Sequence, residues 1–590
     1  MDFSELSKHS GLVCFSPNGE MIASSDQNKV VIRNADSLEV LRTFACLDGV
    51  SELVWSPDSE YVLASQLKRK IVQVFCVADP TWICKIDEAL AGLTHARWAP
   101  DSRHILTRSE FNLRLSIWSL VRKQVTYIKM PKLMPAAPGV PLTEDAAQLG
   151  GNGAVQFSHG GTLMAVLSRV ECKDVLRIYS VASDAASPTG GWDLLKQFHI
   201  DTEDCVQIEW APNDAHILCI DSSLTYNIAV YTPSGQKLAS HRAYEHALGV
   251  KGAGQGVKWS PHNSFMAIGS YDQQVRIFNN ATWSLVHSYV HSSAAVNGVA
   301  TASSASKPKP ASNLVLYCEK PLHPSHPVSR LASAAETDKE NNPLDETTTF
   351  GADASFVQQG EEGDTTARSM RGASATSAAG GLKKKPVLGA GAKPKVGGVA
   401  GRPGSGLASK PKPAASSAAS SSSALSARSR AGVAASGVEV EKATLSIPSK
   451  YCIESLPVKL PSIEPAFDKA DPKLGVGLVA WSHNERYLLT RNDNLPSVVW
   501  VWDTQKLGLA ALLVQLEAVR AAVWDPVRTR FAVATATSKL YLWSPEGCSI
   551  VDIPLGPGQT FNVRKIEWSK DGKCLLLMDK NKFVCCYMRD

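Results

Sequence analysis

The amino-acid sequence predicts an all-β fold, a β-propeller in which small antiparallel sheets, the blades, surround a common axis. Three observations lead to this prediction. A short phrase recurs nine times, β-rich runs follow its copies, and most copies are roughly 40 to 60 residues apart, a period typical of propellers built from WD-type blades. The copies begin at Phe15, Trp55, Trp98, Phe157, Trp210, Trp259, Trp481, Trp524 and Trp568.

The phrase begins with an aromatic residue and a small polar residue. In most copies Pro comes next, and turn residues follow. In the first copy, Pro17 presets the backbone of the second position of a type I turn, Asn18 suits the third, and Gly19 takes the position after it. Each copy is therefore predicted to be a hairpin corner between the first and second strands of a blade.

The third strand of each blade alternates in polarity and ends in an aromatic side chain. Period-two alternation of this kind fits a strand that packs between neighbouring blades. Only Trp502-Asp503 spells the WD pair, so the repeats are divergent. We assign structural blade positions to Trp55, Trp98, Trp118, Trp210, Trp259, Trp481, Trp502, Asp503, Trp524, Trp543 and Trp568.

Two further acidic residues lie in tight turns before third strands. They are Asp272 and Asp493, and we expect both to accept hydrogen bonds from the turn amides.

The ends of the chain predict how the ring closes. The ninth copy has no fourth strand after residues 582–587, while about ten residues precede the first copy. We expect residues 1–10 to supply the outer strand of the last blade, which leaves no open edge between the first and last blades. One nine-bladed ring is the favoured arrangement, and seven blades with two extra units are the alternative.

Composition points to a large β-protein without a bound metal. Hydrophobic residues make up 44% of the 590 residues, and the 13 Cys are scattered without a Cys-x-x-Cys pair. This pattern indicates neither a zinc site nor a disulfide framework, so the thiols are expected to be buried and reduced. No signal peptide or membrane-spanning stretch is indicated, and the chain is expected to be soluble and intracellular.

The sequence also lacks the motifs of a catalytic site. It has no Gly-x-Ser-x-Gly elbow, no His-Glu-x-x-His, no nucleotide-binding loop and no kinase signature. The glycine-rich residues 252–256 lack the following Lys-Ser/Thr and precede a strand instead of a helix. We predict that the protein is not an enzyme and that it has no catalytic, cofactor-binding or metal-binding residues.

A long insert separates the sixth and seventh copies. Residues 294–446 are rich in Ala, Ser, Gly, Pro, Thr and Lys and have hardly any aromatic residues, so they are predicted to be disordered. The predicted domains are residues 1–293 with blades one to six, the insert, and residues 447–590 with blades seven to nine. Apolar stretches at 313–317 and 451–458 are placed to pair where the insert leaves and rejoins the ring.

Charge is segregated within the insert. Residues 336–364 are acidic, whereas residues 368–438 carry twelve Lys or Arg and no Asp or Glu. An extended, Pro-rich basic segment attracts polyanions such as acidic tubulin tails, nucleic acid or anionic membrane, although nucleic acid is disfavoured because aromatic residues for base stacking are absent. A solvated linker is the alternative. The candidate microtubule or polyanion contacts are Lys383, Lys384, Lys385, Lys393, Lys395, Lys410 and Lys412.

The acidic part of the insert contains one short motif. Lys339, Glu340 and Asn341 match a KEN-type degradation signal in a segment that a ubiquitin ligase would reach. A three-residue motif also arises by chance, so this match alone is weak evidence for a degradation signal.

Several segments resemble a known family. They are residues 84–88, 91–93, 127–129, 269–277, 490–503 and 540–545, of which 490–503 is the most specific because generic blades do not share it. These segments look like the centrosomal and spindle-pole WD-repeat proteins of the WD repeat protein eight family. The resemblance covers about residues 1–293 and 447–590, while the long insert departs from it and gains no family support.

The resemblance implies a non-enzymatic scaffold at the microtubule-organising centre. The implied partners are a coiled-coil centrosomal anchoring protein and, in fungi, a minus-end-directed kinesin. The implied roles are microtubule minus-end anchoring, spindle organisation and, in animals, centriole and cilium assembly. The implied location is the cytoplasm and cytoskeleton, at the centrosome or spindle pole.

Two other functions remain open on the sequence. Nine divergent blades also occur in translation-initiation propellers that act on the small ribosomal subunit. WD-type propellers are also common substrate receptors of ubiquitin ligases.

If Trp502 packs between blades, Trp502→Ala should lower the free energy of unfolding by about 3 to 5 kcal/mol, the usual loss for a large-to-small aromatic substitution in a core. Thermal melts of the two proteins measure this loss. An unchanged melting temperature would contradict the assignment.

Overall fold

The computed structural model describes eleven parts of the chain, which are all-β. Within them there are 39 strands, one 3-10 turn at Glu110–Asn112 and no α-helix. The candidate polyanion contacts at 383–412 and the degradation motif at 339–341 lie outside the described residues. The described parts are residues 1–88, 90–129, 131–132, 154–181, 191–222, 224–243, 249–251, 256–292, 314–322, 447–468 and 472–589.

Seven of the blades are four-stranded antiparallel sheets in which consecutive strands pair. Blade one contains β3 (Val13–Phe15), β4 (Met21–Asp26), β5 (Lys29–Asn34) and β6 (Val40–Ala45). Blade two contains β7 (Glu52–Trp55), β8 (Tyr61–Gln66), β9 (Ile71–Cys76) and β10 (Ile83–Asp87). Blade three contains β11 (His95–Trp98), β12 (His104–Arg108), β13 (Arg114–Ser119) and β14 (Val125–Lys129).

The next three blades repeat this order. Blade four contains β15 (Val155–Phe157), β16 (Leu163–Val170), β17 (Lys173–Ser180) and β18 (Leu194–His199). Blade five contains β19 (Cys205–Trp210), β20 (Ile217–Asp221), β21 (Asn227–Tyr231) and β22 (Lys237–Arg242). Blade six contains β23 (Val257–Trp259), β24 (Phe265–Gly269), β25 (Gln274–Asn279) and β26 (Leu285–Val290).

The last three blades include the two exceptions to the four-stranded pattern. Blade seven contains β27 (Val315–Pro321), β28 (Ser449–Glu454), β29 (Val476–Trp481), β30 (Tyr487–Asn492), β31 (Val498–Asp503) and β32 (Gly508–Val514). Blade eight contains β33 (Ala521–Trp524), β34 (Phe531–Ala534), β35 (Lys539–Ser544) and β36 (Gly547–Asp552). Blade nine contains β37 (Lys565–Trp568), β38 (Cys574–Met578) and β39 (Lys582–Tyr587), with β1 (Asp2–Phe3) and β2 (Ser7–Lys8).

The order of the strands defines two faces of the ring. We call the face with the first-to-second and third-to-fourth strand turns the turn face. The face with the second-to-third strand turns and the links between blades is the connection face. The phrase therefore lies on the turn face in every blade.

The N-terminal segment completes the last blade. Asp2 and Phe3 pair with Tyr587 and Cys586, and Ser7 pairs with Phe583, all antiparallel. This is the outer-strand position that the sequence assigned to residues 1–10.

Buried side chains join each blade to the next. Separate apolar clusters connect blades one and two, two and three, three to five, five and six, six and seven, seven and eight, and eight and nine. A further cluster joins blade nine, through Leu576 and Phe583, to Val13 and Ile22 of blade one. The nine-bladed ring is therefore confirmed over seven blades with two extra units.

Blade seven differs from the predicted domain limits. The sequence placed residues 294–446 in one insert, but Val315–Pro321 of that range is β27, which pairs in parallel with β32 and antiparallel with β28. The two apolar stretches at the ends of the insert do pair. They enter the blade because β27 covers the edge of β32 and buries Leu512 and Leu513, which are 0% and 1% exposed.

The phrase forms the predicted turn in eight blades. In blade one the Gly19 N–H donates to the Ser16 carbonyl at 2.8 Å, and the Ser16 hydroxyl accepts from the Met21 N–H at 3.0 Å. Gly19 lies in the left-handed region at φ 82°, a conformation that costs glycine little. Blade eight lacks this bond.

The aromatic residue of the phrase links its blade to the preceding one. In five blades its indole N–H donates to the carbonyl just before the preceding aromatic, at 3.0 to 3.2 Å. The donors are Trp98, Trp210, Trp481, Trp524 and Trp568, and their acceptors are Val54, Gln156, Lys258, Ala480 and Val523. The indole nitrogens of Trp55 and Trp259 are buried and have no partner.

These two groups of tryptophans provide a matched experiment. Trp524→Phe removes a buried hydrogen bond, whereas Trp55→Phe removes an N–H that has no acceptor, and the two residues are similarly exposed at 7% and 6%. We expect Trp524→Phe to lower the free energy of unfolding by about 1 to 2 kcal/mol more than Trp55→Phe does. Urea unfolding of the three proteins measures the difference, and equal losses would contradict the role of the indole bond.

Candidate interaction site between the seventh and eighth blades

The stretch Thr490 to Asp503 lies inside the ring instead of on its surface. It covers the end of β30, the turn and β31, and Trp500 and Thr490 are completely buried. Trp502 stacks on Tyr289 of blade six with the ring centroids 4.5 Å apart. The most family-specific segment therefore joins blades six and seven.

A chain of hydrogen bonds crosses this interface. The Trp502 indole N–H donates to the Thr490 hydroxyl at 2.9 Å, and that hydroxyl is 2.6 Å from His291 Nε2. His291 Nδ1 is 3.2 Å from the Gln273 carbonyl, which only accepts. We therefore assign the proton to Nδ1, so that Thr490 donates to Nε2. Burial lowers the pKa of His291 to about 3 and keeps the ring neutral.

Blade three contains a similar network around Trp118. The Trp118 indole N–H lies 3.0 Å from the Thr107 hydroxyl and 3.1 Å from the Glu88 carboxylate. The Thr107 hydroxyl in turn donates to Glu88 at 2.7 Å. Here a carboxylate takes the place of the imidazole, which is why the sequence showed no common pattern.

The two turn aspartates behave differently from each other. Asp272 accepts from the Gln274 N–H at 3.2 Å, as expected, and from Arg276 at 2.5 Å. Asp493 instead forms ion pairs with Lys251 at 2.8 Å and Arg491 at 3.2 Å, so its assignment as an acceptor for turn amides is corrected. Sequence reasoning missed Lys251 because it comes from the link between blades five and six.

The remaining assigned tryptophans lie where the repeat places them. Trp543 is the penultimate residue of β35 and packs edge-on against Tyr487 of blade seven, with ring centroids 5.4 Å apart. Asp503 follows Trp502, is 3% exposed, and accepts from the Gln505 and Lys506 N–H groups at 3.0 Å.

A buried ion pair attaches the insert-derived strands to blade eight. Glu319 of β27 and Lys539 of β35 are 3.5 Å apart and almost fully buried. Glu319 also accepts from Ser449 of β28 at 2.5 Å and from the Tyr541 hydroxyl at 3.0 Å. Burial of a charge is costly unless it is paired and hydrogen-bonded, so this network fixes the hairpin β27–β28 in one position.

The same network determines where the insert leaves the ring. The Leu322 N–H donates to the Pro448 carbonyl at 2.8 Å, so the two ends of the insert are adjacent. Lys539 also donates to the Ile447 carbonyl. Both ends lie at the connection face because β27 runs parallel to β32, which ends at that face.

The opposite, turn face has an open cleft of about 570 Å³ between blades seven and eight. Its walls come from residues 483–487 of blade seven and from residues 527–530 and 544–546 of blade eight. A second cleft of about 350 Å³ lies beside the first half of β32. Tyr487 and Pro545 line both clefts, and we call the two together the blade 7–8 groove.

Blade eight forms its wall of the groove because its phrase is irregular. The Asp525 carboxylate accepts from the Val527 and Arg528 N–H groups at 2.8 and 3.0 Å and from Arg530 at 2.7 Å. In the other blades a backbone carbonyl holds this turn. The Asp525 turn directs Val527, 52% exposed, and Arg528 outward.

The exposed charges around the groove are mainly positive. Arg486, Lys506 and Arg528 are exposed and Glu546 is the exposed acid among the lining residues. Arg486 lies over the Tyr487 ring, 5.3 Å from its centroid. The sequence alone does not indicate this site because its walls come from separate turns of two blades, at 483–487, 527–530 and 544–546.

The described residues contain no disulfide and no cluster of metal-ligating side chains. No group of three or more His, Cys, Asp or Glu side chains there is arranged to hold a metal ion. All 13 cysteines are free. Among the described residues there is no helix that is long and apolar enough to cross a membrane.

Comparison with known proteins finds WD-repeat relatives. The family described as "WD domain, G-beta repeat" matches residues 245–279. The mouse WD repeat-containing protein WRAP73 is 34% identical over 589 residues, covering 100% of this chain and 96% of its own length. An uncharacterized WD repeat-containing protein of Schizosaccharomyces pombe is 24% identical over 314 residues, covering 49% of this chain and 57% of its own.

Two solved structures are similar at lower levels. One, titled as the eukaryotic initiation factor, has a TM-score of 0.46 at 11% identity and covers 94% of this chain and 93% of its own. The Myceliophteria thermophila Cps50 (Swd1) β-propeller domain has a TM-score of 0.31 at 14% identity and covers 49% of this chain and 89% of its own. At these values neither structure informs function.

The neutral His291 predicts a pH dependence of stability. The unfolded chain protonates this imidazole below pH 6.5, but the folded chain does so only near pH 3, so unfolding takes up a proton between these values. Stability should therefore fall by about 2 kcal/mol between pH 7 and pH 5 through this group, and be unaffected by it above pH 7. In His291→Gln, which keeps a donor and an acceptor, the fall should be smaller by that amount.

Urea unfolding of both proteins at pH 7 and pH 5 measures this difference. Burial also lowers the pKa of other histidines, among them His216 and His241, but they contribute equally to the pH dependence of stability in both proteins. Identical pH profiles would show that His291 is protonated in the folded chain.

Proposed function

Because the chain belongs to the WD-repeat family that includes mouse WRAP73, we propose that it is a non-enzymatic scaffold that joins other proteins at the centrosome or spindle pole. The family relation over the whole chain supports a role in protein–protein interaction. The resemblance of residues 490–503 to centrosomal and spindle-pole proteins supports the location.

The observation that carries the scaffold function is the blade 7–8 groove. It is open to solvent and lies between two blades. The larger cleft has a volume of about 570 Å³, which is enough to accept side chains of a partner. Its walls are held by buried bonds of Asp525 and by an Asn484 Nδ2 to Thr529 hydroxyl bond of 2.9 Å across the gap. Rigid walls lower the entropic cost of binding.

The proposed partners follow from the resemblance. They are a coiled-coil anchoring protein and a minus-end-directed kinesin, with which the chain would anchor microtubule minus ends, organise the spindle and assist centriole and cilium assembly. The lysines between 383 and 412 are proposed as an auxiliary contact to microtubules, since a cluster of positive charge attracts acidic tubulin tails.

Localisation in dividing cells tests the proposal. We expect a fluorescently tagged full chain to concentrate at spindle poles in mitosis and at centrosomes or basal bodies otherwise. Arg122→Glu, an exposed change outside the groove, serves as the control and should localise like the wild type. A uniform signal in all phases would overturn the proposed location.

The same cells separate the alternatives. Co-migration of the tagged chain with the small ribosomal subunit in sucrose gradients would replace the proposal by a role in translation initiation. Stoichiometric co-purification with a cullin adaptor would replace it by a ubiquitin-ligase receptor.

A further inference from the structure

On the premise of the scaffold function, we propose that the blade 7–8 groove binds an extended acidic peptide segment of a partner protein, with one apolar side chain of that segment seated between Val527 and Tyr487. The groove would read the charge of the peptide at its rim and the apolar side chain at its floor.

The floor of the groove is apolar. Tyr487 and Trp543 are buried beneath it, and Val527 and Pro545 are exposed at its sides. Covering an exposed valine with a second apolar side chain removes apolar surface from water and so stabilises the complex. The groove therefore favours a peptide that carries an aliphatic or aromatic residue.

The rim supplies the charge complementarity. Arg486 of blade seven and Arg528 of blade eight both line the larger cleft, and Lys506 lines the second cleft. Two acids oppose these charges: the buried Asp503, whose Oδ2 is 3.9 Å from Arg486 Nε, and the exposed Glu546. The lining still carries more basic than acidic side chains, because Arg530 adds a fourth cation. Surplus positive charge around a cleft favours and orients an acidic ligand.

The arginines are also prepared for carboxylates. The Arg486 guanidinium carbon is 5.3 Å from the centroid of the Tyr487 ring and its Nε is 3.9 Å from Asp503, so both contacts restrain this side chain. Arg530 is held by Asp525 and by the Gly572 carbonyl at 3.1 Å, so it acts as a fixed part of the wall. A guanidinium held in one orientation loses less entropy on binding a carboxylate.

A peptide fits this site better than a nucleic acid. Single strands are bound by exposed aromatic rings on which bases stack. The aromatic rings here, Tyr487 and Trp543, are 7% and 3% exposed and form the floor, so they offer no stacking platform.

Fluorescence anisotropy on the full chain at about 150 mM salt, where exposed charges are largely screened beyond roughly 8 Å, tests the inference. The probe is a labelled peptide of alternating Glu and Ser with one central Leu. Control probes replace Leu by Ser, replace Glu by Lys, or are a single-stranded RNA. We expect only the first probe to bind in a way that depends on the groove.

Paired variants identify the site. Arg486→Glu with Arg528→Glu should raise the Kd of the Glu-Leu probe at least about tenfold, because two rim attractions become repulsions. Arg122→Glu with Lys123→Glu makes the same change of charge on the exposed β13–β14 turn of the same face and should alter it less than about twofold. Val527→Asp should weaken binding, whereas Val121→Asp on that control turn should not. Thermal melts confirm that each variant is folded.

Three outcomes would overturn the inference. An equal loss of affinity for the Glu-Leu probe in both double variants would show that the probe binds through net charge or the basic segment 368–438 instead of the groove. Groove-dependent binding of the RNA would assign the site to nucleic acid. The acids within residues 336–364 can be changed to amides. If the probe then binds more tightly, the acidic segment of the chain itself competes for the groove and is its occupant. Each result leaves pole localisation, and so the proposed function, to be judged separately.

Discussion

Every blade of this ring buries its faces against its neighbours, so the fold depends on closure between the ninth blade and the first. A sheet left unpaired there would expose the apolar side chains that join Phe583 to Val13. The N-terminal strands β1 and β2 pair with β39 and complete the last blade from the start of the chain. Two distant ends of the chain must therefore meet before blades one and nine are fully packed, which makes closure a non-local step.

The recurring phrase is the local device that makes neighbouring blades fit. Its aromatic side chain packs between blades and in five cases donates to the preceding blade, while its turn ties adjacent corners together. Ser59 of blade two accepts from the Asn18 N–H of blade one, and Ser102 accepts from the Asp58 N–H of blade two. Where the phrase is irregular, at Asp525, the groove is found on the same face. Departures from a structural rule are expected at functional sites.

Buried polar groups hold the connection face in one arrangement. Lys251 joins the link before blade six to Asp493, and Lys539 joins the insert-derived strands to blade eight. Each charge is paired, because an unpaired one would cost several kcal/mol. The insert can therefore leave and re-enter at Leu322 and Pro448 without opening the ring.

The sequence by itself determined the blade type, the nine repeat units and the turn chemistry, and it indicated the pairing at the two ends of the insert. These features depend on residues that are close together or on one repeated pattern, such as Ser16 to Gly19. Only the tertiary structure decided that Thr490 is an interior residue bonded to His291, that Asp493 pairs with Lys251, and that Arg486 and Arg528 share one groove. The physical reason is that burial and charge pairing depend on which distant turns meet, and a divergent repeat does not encode that locally.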